Sequence, residues 1–149
     1  PEREQVGDKI VDQAMRRVGL LADGYITMGV TAEELGKRLR VIEQTAAEIG
    51  KDLSNFEVAI HGMVNINDDR ALAYQQSKDY FNHYYGPNYP PESLIEVWLA
   101  HGAPQDCAKL IQEWLDMGIT TPVLRFTAQD QPGQVQRFVE EVLPLLRMG

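Results

Sequence analysis

Three residues carry the most chemical potential in this chain: Arg125, His61 and Met28. Arg125 lies near the end of a β-prone run, Thr121 to Phe126. Its planar, permanently charged guanidinium suits phosphate or carboxylate. The competing reading is an ion pair with one of the chain's many acidic side chains. His61 falls on the same strand parity as Glu57 and Met63. If Leu124 and Phe126 pack on helices, Arg125 and Val123 turn to the opposite face, and a His, a Glu and an Arg come together. An imidazole there is a general base or a polar substrate contact. The alternative is a hydrogen-bonded interior histidine. Thr27 and Met28 close the first short strand and either line a pocket or are simply packed. The segment from Tyr80 to Pro91 mixes aromatics, His83, Gly and Pro. It reads as a lid or substrate wall, or as an aromatic satellite core with tyrosine hydroxyls at its edge.

Other chemistries lack their residues. Cys107 is the single cysteine and sits among apolar neighbours, so an inert buried thiol is expected. There is no CxxC pair, and His83 and His101 form no zinc motif with it, so no metal is expected. P-loop, GxGxxG and nucleophile-elbow patterns are missing. No carboxylate pair stands out as a glycosidase dyad. The chain has 14 Lys+Arg against 22 Asp+Glu, a net charge of −8, which disfavours nucleic acid as a partner. Its 44% hydrophobic content is that of a folded globular protein. No apolar run approaches the ~18 residues of a membrane span, and no basic start with an apolar core marks a signal peptide. A cytoplasmic protein with no membrane partner is therefore expected. At 149 residues the chain is a single compact domain or a large piece of one.

The elements that must position these residues alternate. Ile10, Ala14, Val18 and Leu21 space out one helical stripe over residues 8 to 21, with Asp8 at its start. Tyr25 to Met28 is a short strand. Thr31 and Glu34 form a capping box for a helix whose apolar positions are Leu35, Leu39, Ile42, Ala46 and Ile49, with Gly50 as its cap. Phe56 to Ile66 is the best strand, and its mixed second parity predicts cover on both faces. Asn67-Asp68-Asp69 caps an aromatic helix over Ala71 to Tyr85. A loop follows at Gly86 to Pro91, then a short helix from Glu92 to Ala100. Pro104 opens another helix, with Cys107, Leu110, Ile111, Trp114 and Leu115 inward, ending at Gly118. Thr121 to Phe126 reads as a buried strand. A last helix over Gly133 to Leu146 turns Val135, Phe138, Val139 and Val142 inward. This alternation is the α/β signature of a parallel sheet with right-handed crossovers.

Three stretches resemble the C-terminal part of the luciferase-like monooxygenase family. They are the helix running into Ala22-Asp23-Gly24 and an aromatic; the helix, Gly50-Lys51-Asp52 turn and strand from Thr31 to Ile66; and Gly102-Ala103-Pro104-Gln105 through Gly118 to Arg125-Phe126. The resemblance implies the C-terminal part of a (β/α)8 TIM-type barrel, about three strands with surrounding helices, with residues 1–149 as one partial barrel domain. A complete barrel needs ~250 residues and eight strands, so five strands would be missing. That length, with Pro1 at the start, favours a piece of a longer barrel over a naturally shortened relative. The family implies FMN or a deazaflavin as cofactor, a small-molecule substrate, and oxidoreductase or monooxygenase chemistry at the carboxyl ends of the strands. There Arg125 would reach a cofactor or substrate phosphate, Thr27 and Met28 would stand at the mouth, and His61 would lie inside the barrel with Glu57 and Arg125. The chain alone is expected to turn over no flavin and need hold none. Its open edges imply a partner, either the missing N-terminal half or further copies in a homo-oligomer. The other reading is a non-catalytic α/β interaction module, with Tyr74 to Tyr89 as its binding surface.

Overall fold

A computed structural model describes residues 2–87 and 89–147, with the side chains of residues 2–6 and 8 outside the described set. Four strands form one parallel sheet: β1 (Gly24–Thr27), β2 (Glu57–Ile66), β3 (Leu99–Gly102) and β4 (Thr121–Phe126). β2 is its spine. One edge of β2 pairs with β1 along Glu57 to Ile60 and with β3 along Met63 to Ile66. The other edge pairs with β4 from Ala59 to Val64. The sheet thus has one strand more than the three expected.

β3 is the correction. The stretch Glu92 to Ala100 reads as one helix, but α4 covers only Glu92–Trp98. Leu99-Ala100-His101-Gly102 then pairs with β2. Four residues without a β-branched side chain carry no local strand signal; here pairing with β2 overrides propensity.

The two faces of the sheet are built differently. Val58, Ile60, Val64 and Ile66 point to one face, into a core with Leu35, Ile111, Trp114 and Val142. That outer face is covered by α2 (Ala32–Glu48), α5 (Pro104–Asp116) and the C-terminal helical segment. Gly62 lies on it because Trp114 leaves no room, a Cβ there meeting the indole at 2.5 Å. The opposite parity of β2 faces α3 (Arg70–Tyr85) and α4 only at its carboxyl end, where Met63 packs with Phe81, Ile95, Trp98 and Leu99. The expected two-sided cover therefore holds for half of β2. β4, expected to be buried, leaves Val123 42% exposed.

Local signals set the helix ends. The Thr31–Glu34 capping box is fully formed. Gly50 has φ +68°, and the bonds Lys51 N to Ala46 O (2.9 Å) and Gly50 N to Ala47 O (3.1 Å) close α2 in a Schellman turn. Asp69 caps α3 through a 3.0 Å bond from Leu72 N.

Two apolar faces turn differently from expectation. α1 spans Glu2–Leu21, so Asp8 lies inside the helix, with its side chain outside the described set. Met15 and Gly19 face α2, Gly19 so closely that a Cβ would sit 2.6 Å from Ile42 O. Ile10 and Leu21 lie nine and two residues from Gly19, at ~100° per residue on the opposite side of α1, and both are exposed. Ile49, counted on the α2 stripe, is likewise exposed at its cap. α6 (Gln131–Arg137) continues through a π-helical turn (Phe138–Val142) and a 3-10 turn (Leu143–Leu145). Its inward side is Gln134, Phe138 and Val142. Gln134 bonds the backbone of Ile66 at both N (2.8 Å) and O (2.9 Å), which fixes the rotation. Val135 and Val139, expected inward, are exposed. Among the described residues no helix is long and apolar enough to cross a membrane.

Candidate functional site

The open inner face gathers the three residues that the sequence singled out. Strand register sets the parity. Ile26 pairs with Ala59, Val123 with His61, and Arg125 with Met63, so all of these look to one side. Met28 follows β1 and lines a shallow hollow of about 450 Å³ with Ile26 and His61. Thr27, its neighbour, points the other way; it is buried and accepts a 3.0 Å bond from Arg38. Both line the hollow, Thr27 with a buried side chain already bonded to Arg38 and Met28 with an exposed one.

Arg125 has no carboxylate partner among the described ion pairs. Tyrosines hold it instead. Its guanidinium lies 4.2 Å from the Tyr84 ring centroid and 5.6 Å from that of Tyr80. The two rings are stacked at 5.9 Å and 5°. Guanidinium over a ring face is attracted by the ring quadrupole. Hydrogen bonding to Tyr84 raises the Arg125 pKa. Within Tyr80 to Pro91, Phe81 is buried and stacks on Trp98 at 5.6 Å as a satellite core, while Tyr84, Tyr85 and Tyr89 are exposed and touch one another in a row.

His61 is half-buried beside this row. Its backbone carbonyl accepts a 2.7 Å bond from Trp98 Nε1, and the two rings meet edge-on at 6.0 Å. Burial, and then the Arg125 charge, push its pKa below 6.5. A neutral imidazole near pH 7 can accept a proton or a hydrogen bond. Glu57 does not join it. Glu57 opens β2 and is exposed, roughly 13 Å along the strand from His61 at ~3.3 Å per residue. The expected His–Glu–Arg group is therefore His–Arg alone.

Cys107 is fully buried, as expected. Desolvation pushes its thiol up to about 12, far from a nucleophile's range. No group of three or more His, Cys, Asp or Glu among the described residues could hold a metal ion.

Sequence reasoning missed two contributors. Trp98, fully buried, fixes the His61 backbone. A polar network (Asn65, Ser77 and Thr127) ties α3 to the tops of β2 and β4, with Ser77 Oγ 2.7 Å from Thr127 Oγ1. Asn65 in the middle of an apolar strand was the available signal.

Comparison with known proteins bears on this geometry. The family described as luciferase-like monooxygenase matches residues 10–121. The F420-dependent glucose-6-phosphate dehydrogenase of Beutenbergia cavernae is 23% identical over 90% of this chain and 46% of its own length. Among solved structures, an F420-dependent secondary alcohol dehydrogenase in complex with an F420-acetone adduct superimposes with a TM-score of 0.73 at 19% identity. It covers 92% of this chain and 47% of that one. The coenzyme F420-dependent tetrahydromethanopterin reductase of Methanopyrus kandleri gives 0.66 at 17% identity, over 91% and 49%. These likenesses establish the α/β fold. The chain spans about half the length of each of these relatives.

Proposed function

The chain belongs to the luciferase-like monooxygenase family, and from that premise we propose that it forms one wall of a flavin- or deazaflavin-dependent oxidoreductase site. The observation that carries this reading is the gathering of Met28, His61 and Arg125 on one uncovered face of a parallel sheet. Barrel enzymes place their sites at the carboxyl ends of the strands.

The residues present fit one side of a planar ring cofactor. Ile26, Met28 and Val123 offer exposed apolar surface, 60%, 40% and 42% accessible. Arg125 stands beside them with a charge for an anionic group. When bound, a flavin or deazaflavin supplies the redox chemistry. This chain's residues then bind and orient. Ile26, Met28 and Val123 would hold the ring and exclude water from it. Tyr84 and Tyr80 keep Arg125 on this face, and the neutral His61 ring accepts a proton or hydrogen bond from a small-molecule substrate. The rest of the pocket belongs to the remaining barrel half, so the chain alone is expected to be inactive. The cofactor of this reading is FMN or the deazaflavin F420.

The test is a titration of FMN and of F420 against this chain alone and against the chain completed by the other barrel half. Saturable binding is expected for the completed barrel, weakened about tenfold or more by Arg125→Ala, the loss of one charge-assisted contact. A completed barrel that binds neither cofactor, or binds equally well without Arg125, overturns the reading. Substrate oxidation by the chain alone overturns the half-site.

A further inference from the structure

A second concavity lies at the carboxyl ends of β2 and β4, apart from the hollow at Met28 and His61. It measures about 770 Å³. Ile66 and Thr127 form its floor, α3 gives Gln76, Asp79 and Tyr80, and Gln129 and Arg137 close the far side. We propose that this cleft binds a neutral, polyhydroxylated small molecule.

The strongest charge at the cleft is already engaged. Arg137 donates to both carboxylate oxygens of Glu141 at 2.8 Å, to Ile66 O at 3.1 Å and to Asp68 at 3.4 Å. Its charge is therefore matched. Asp68, Asp79 and Asp130 line the cleft against one imidazole, His83, so its field disfavours an anion. Among the described residues lining the cleft, Gln76 Nε2, Asn67 Nδ2, Gln131 Oε1, both polar atoms of the Gln129 amide, the Tyr80 hydroxyl and the His83 ring nitrogens make no hydrogen bond within the protein. Asp79 keeps one carboxylate oxygen open, the other accepting from Gln75 at 2.9 Å. The open set mixes donors with acceptors. A hydroxyl is both, so several hydroxyls on one carbon chain satisfy the whole set. An organic cation would pair the carboxylates and leave the amide donors unmet.

The walls are fixed before any ligand arrives. Gln76 Oε1 accepts from Asn65 Nδ2 at 3.3 Å, the same Asn65 group reaches Ser77, and Ser77 meets Thr127. Gln134 is locked to Ile66 at both backbone atoms. Pre-set polar groups lower the ordering cost of binding. The same network holds an unmet acceptor, Asn65 Oδ1, buried without a donor. Tyr80 belongs to both regions, lining this cleft and standing under Arg125. The cleft therefore adjoins the proposed redox wall, and taking it as the seat of the substrate's hydroxylated body rests on that reading. Polyol binding by itself does not.

The experiment follows backbone amide signals of the isotope-labelled chain while sorbitol, inorganic phosphate or choline is added. Sorbitol is expected to shift Gln76, Thr127 and Gln129 saturably. Gln129→Ala, at an exposed loop position, is expected to weaken this roughly three- to tenfold, the worth of one hydrogen bond. A linear drift is only the bulk effect of an excluded polyol and overturns the proposal. Saturable shifts from phosphate or choline that exceed those from sorbitol overturn it too. The two readings fail separately: saturable sorbitol shifts with no cofactor binding to the completed barrel leave the polyol site standing and remove the redox wall. Cofactor binding with only linear sorbitol drift does the reverse.

Discussion

The outer and inner faces of this sheet share one strand, β2, and differ in what finishes them. On the outer face, Ile60 and Val64 are fully buried under helices. On the inner face, one residue along, Ala59 and His61 keep partial exposure, and Ile26 and Val123 on the flanking strands are largely open. Alternation along a strand makes the two faces chemically independent. The outer face carries the stability of the fold and the inner face carries the proposed site. The largest expected effect tests that split. Trp114→Ala should lower unfolding free energy by about 3–5 kcal/mol, the range for a large buried aromatic. Val123→Ala on the inner face should stay within about 0.5 kcal/mol. Urea titration of both variants decides, and a Val123→Ala cost near that of Trp114→Ala would break the comparison.

Between these extremes sits Gln134, a polar residue on the buried side of α6. Removing its side chain leaves the Ile66 N–H buried without its acceptor, while Arg137 still donates to Ile66 O. Gln134→Ala should cost about 1–3 kcal/mol, the penalty for a buried unmet group. Thermal melts would register it, and no change in Tm would mean that water reaches Ile66.

The inner face also predicts association. Its apolar residues and the free edges of β1 and β4 favour another partner surface. At high concentration the chain alone is expected to scatter light as an oligomer. Ile26→Thr with Val123→Thr should shift it toward monomer and leave its melting nearly unchanged. A chain that stays monomeric at high concentration removes the edge-pairing reading.

The outer face was largely legible in the sequence, because burial leaves a period. The β2 alternation, the Leu35 to Ala46 stripe and the Cys107 to Trp114 face all landed where periodicity put them. Capping residues fixed the ends of α2 and α3 for local reasons. What escaped was set by partners distant in sequence. β3 exists through pairing with Met63 to Ile66, and the rotation of α6 is set by Gln134 reaching Ile66. Ile10 and Leu21 look buried by spacing, yet the side of α1 that meets α2 is the one carrying Gly19, and both project from the other side. On the inner face, parity placed Arg125 beside Val123 and brought both to the side of His61. It also suggested Glu57, because parity says nothing about distance along a strand. The tyrosine cover of Arg125 was invisible, since a cation among many carboxylates reads first as an ion pair.

The smallest effect is the most specific to the inner face. Burial first, and the Arg125 charge second, hold the His61 pKa below 6.5. His101, half-buried against the ring of Tyr74, is pushed the same way, chiefly by burial. In the unfolded chain both imidazoles take up a proton near their ordinary value, above their folded values. Acidification therefore favours the unfolded chain, and the stability these groups contribute is present above pH 6.5 and lost as pH falls from there through the folded values. Arg125→Ala removes one of the two causes at His61 and neither of the main ones at His101. The His61 ring signals, followed by NMR against pH, should then titrate at higher pH, still short of 6.5 because burial remains. The His101 signals should stay where they were. A His61 midpoint unmoved by Arg125→Ala would mean that the tyrosines screen the guanidinium from it. The inner face would then hold two separate polar groups rather than one coupled pair.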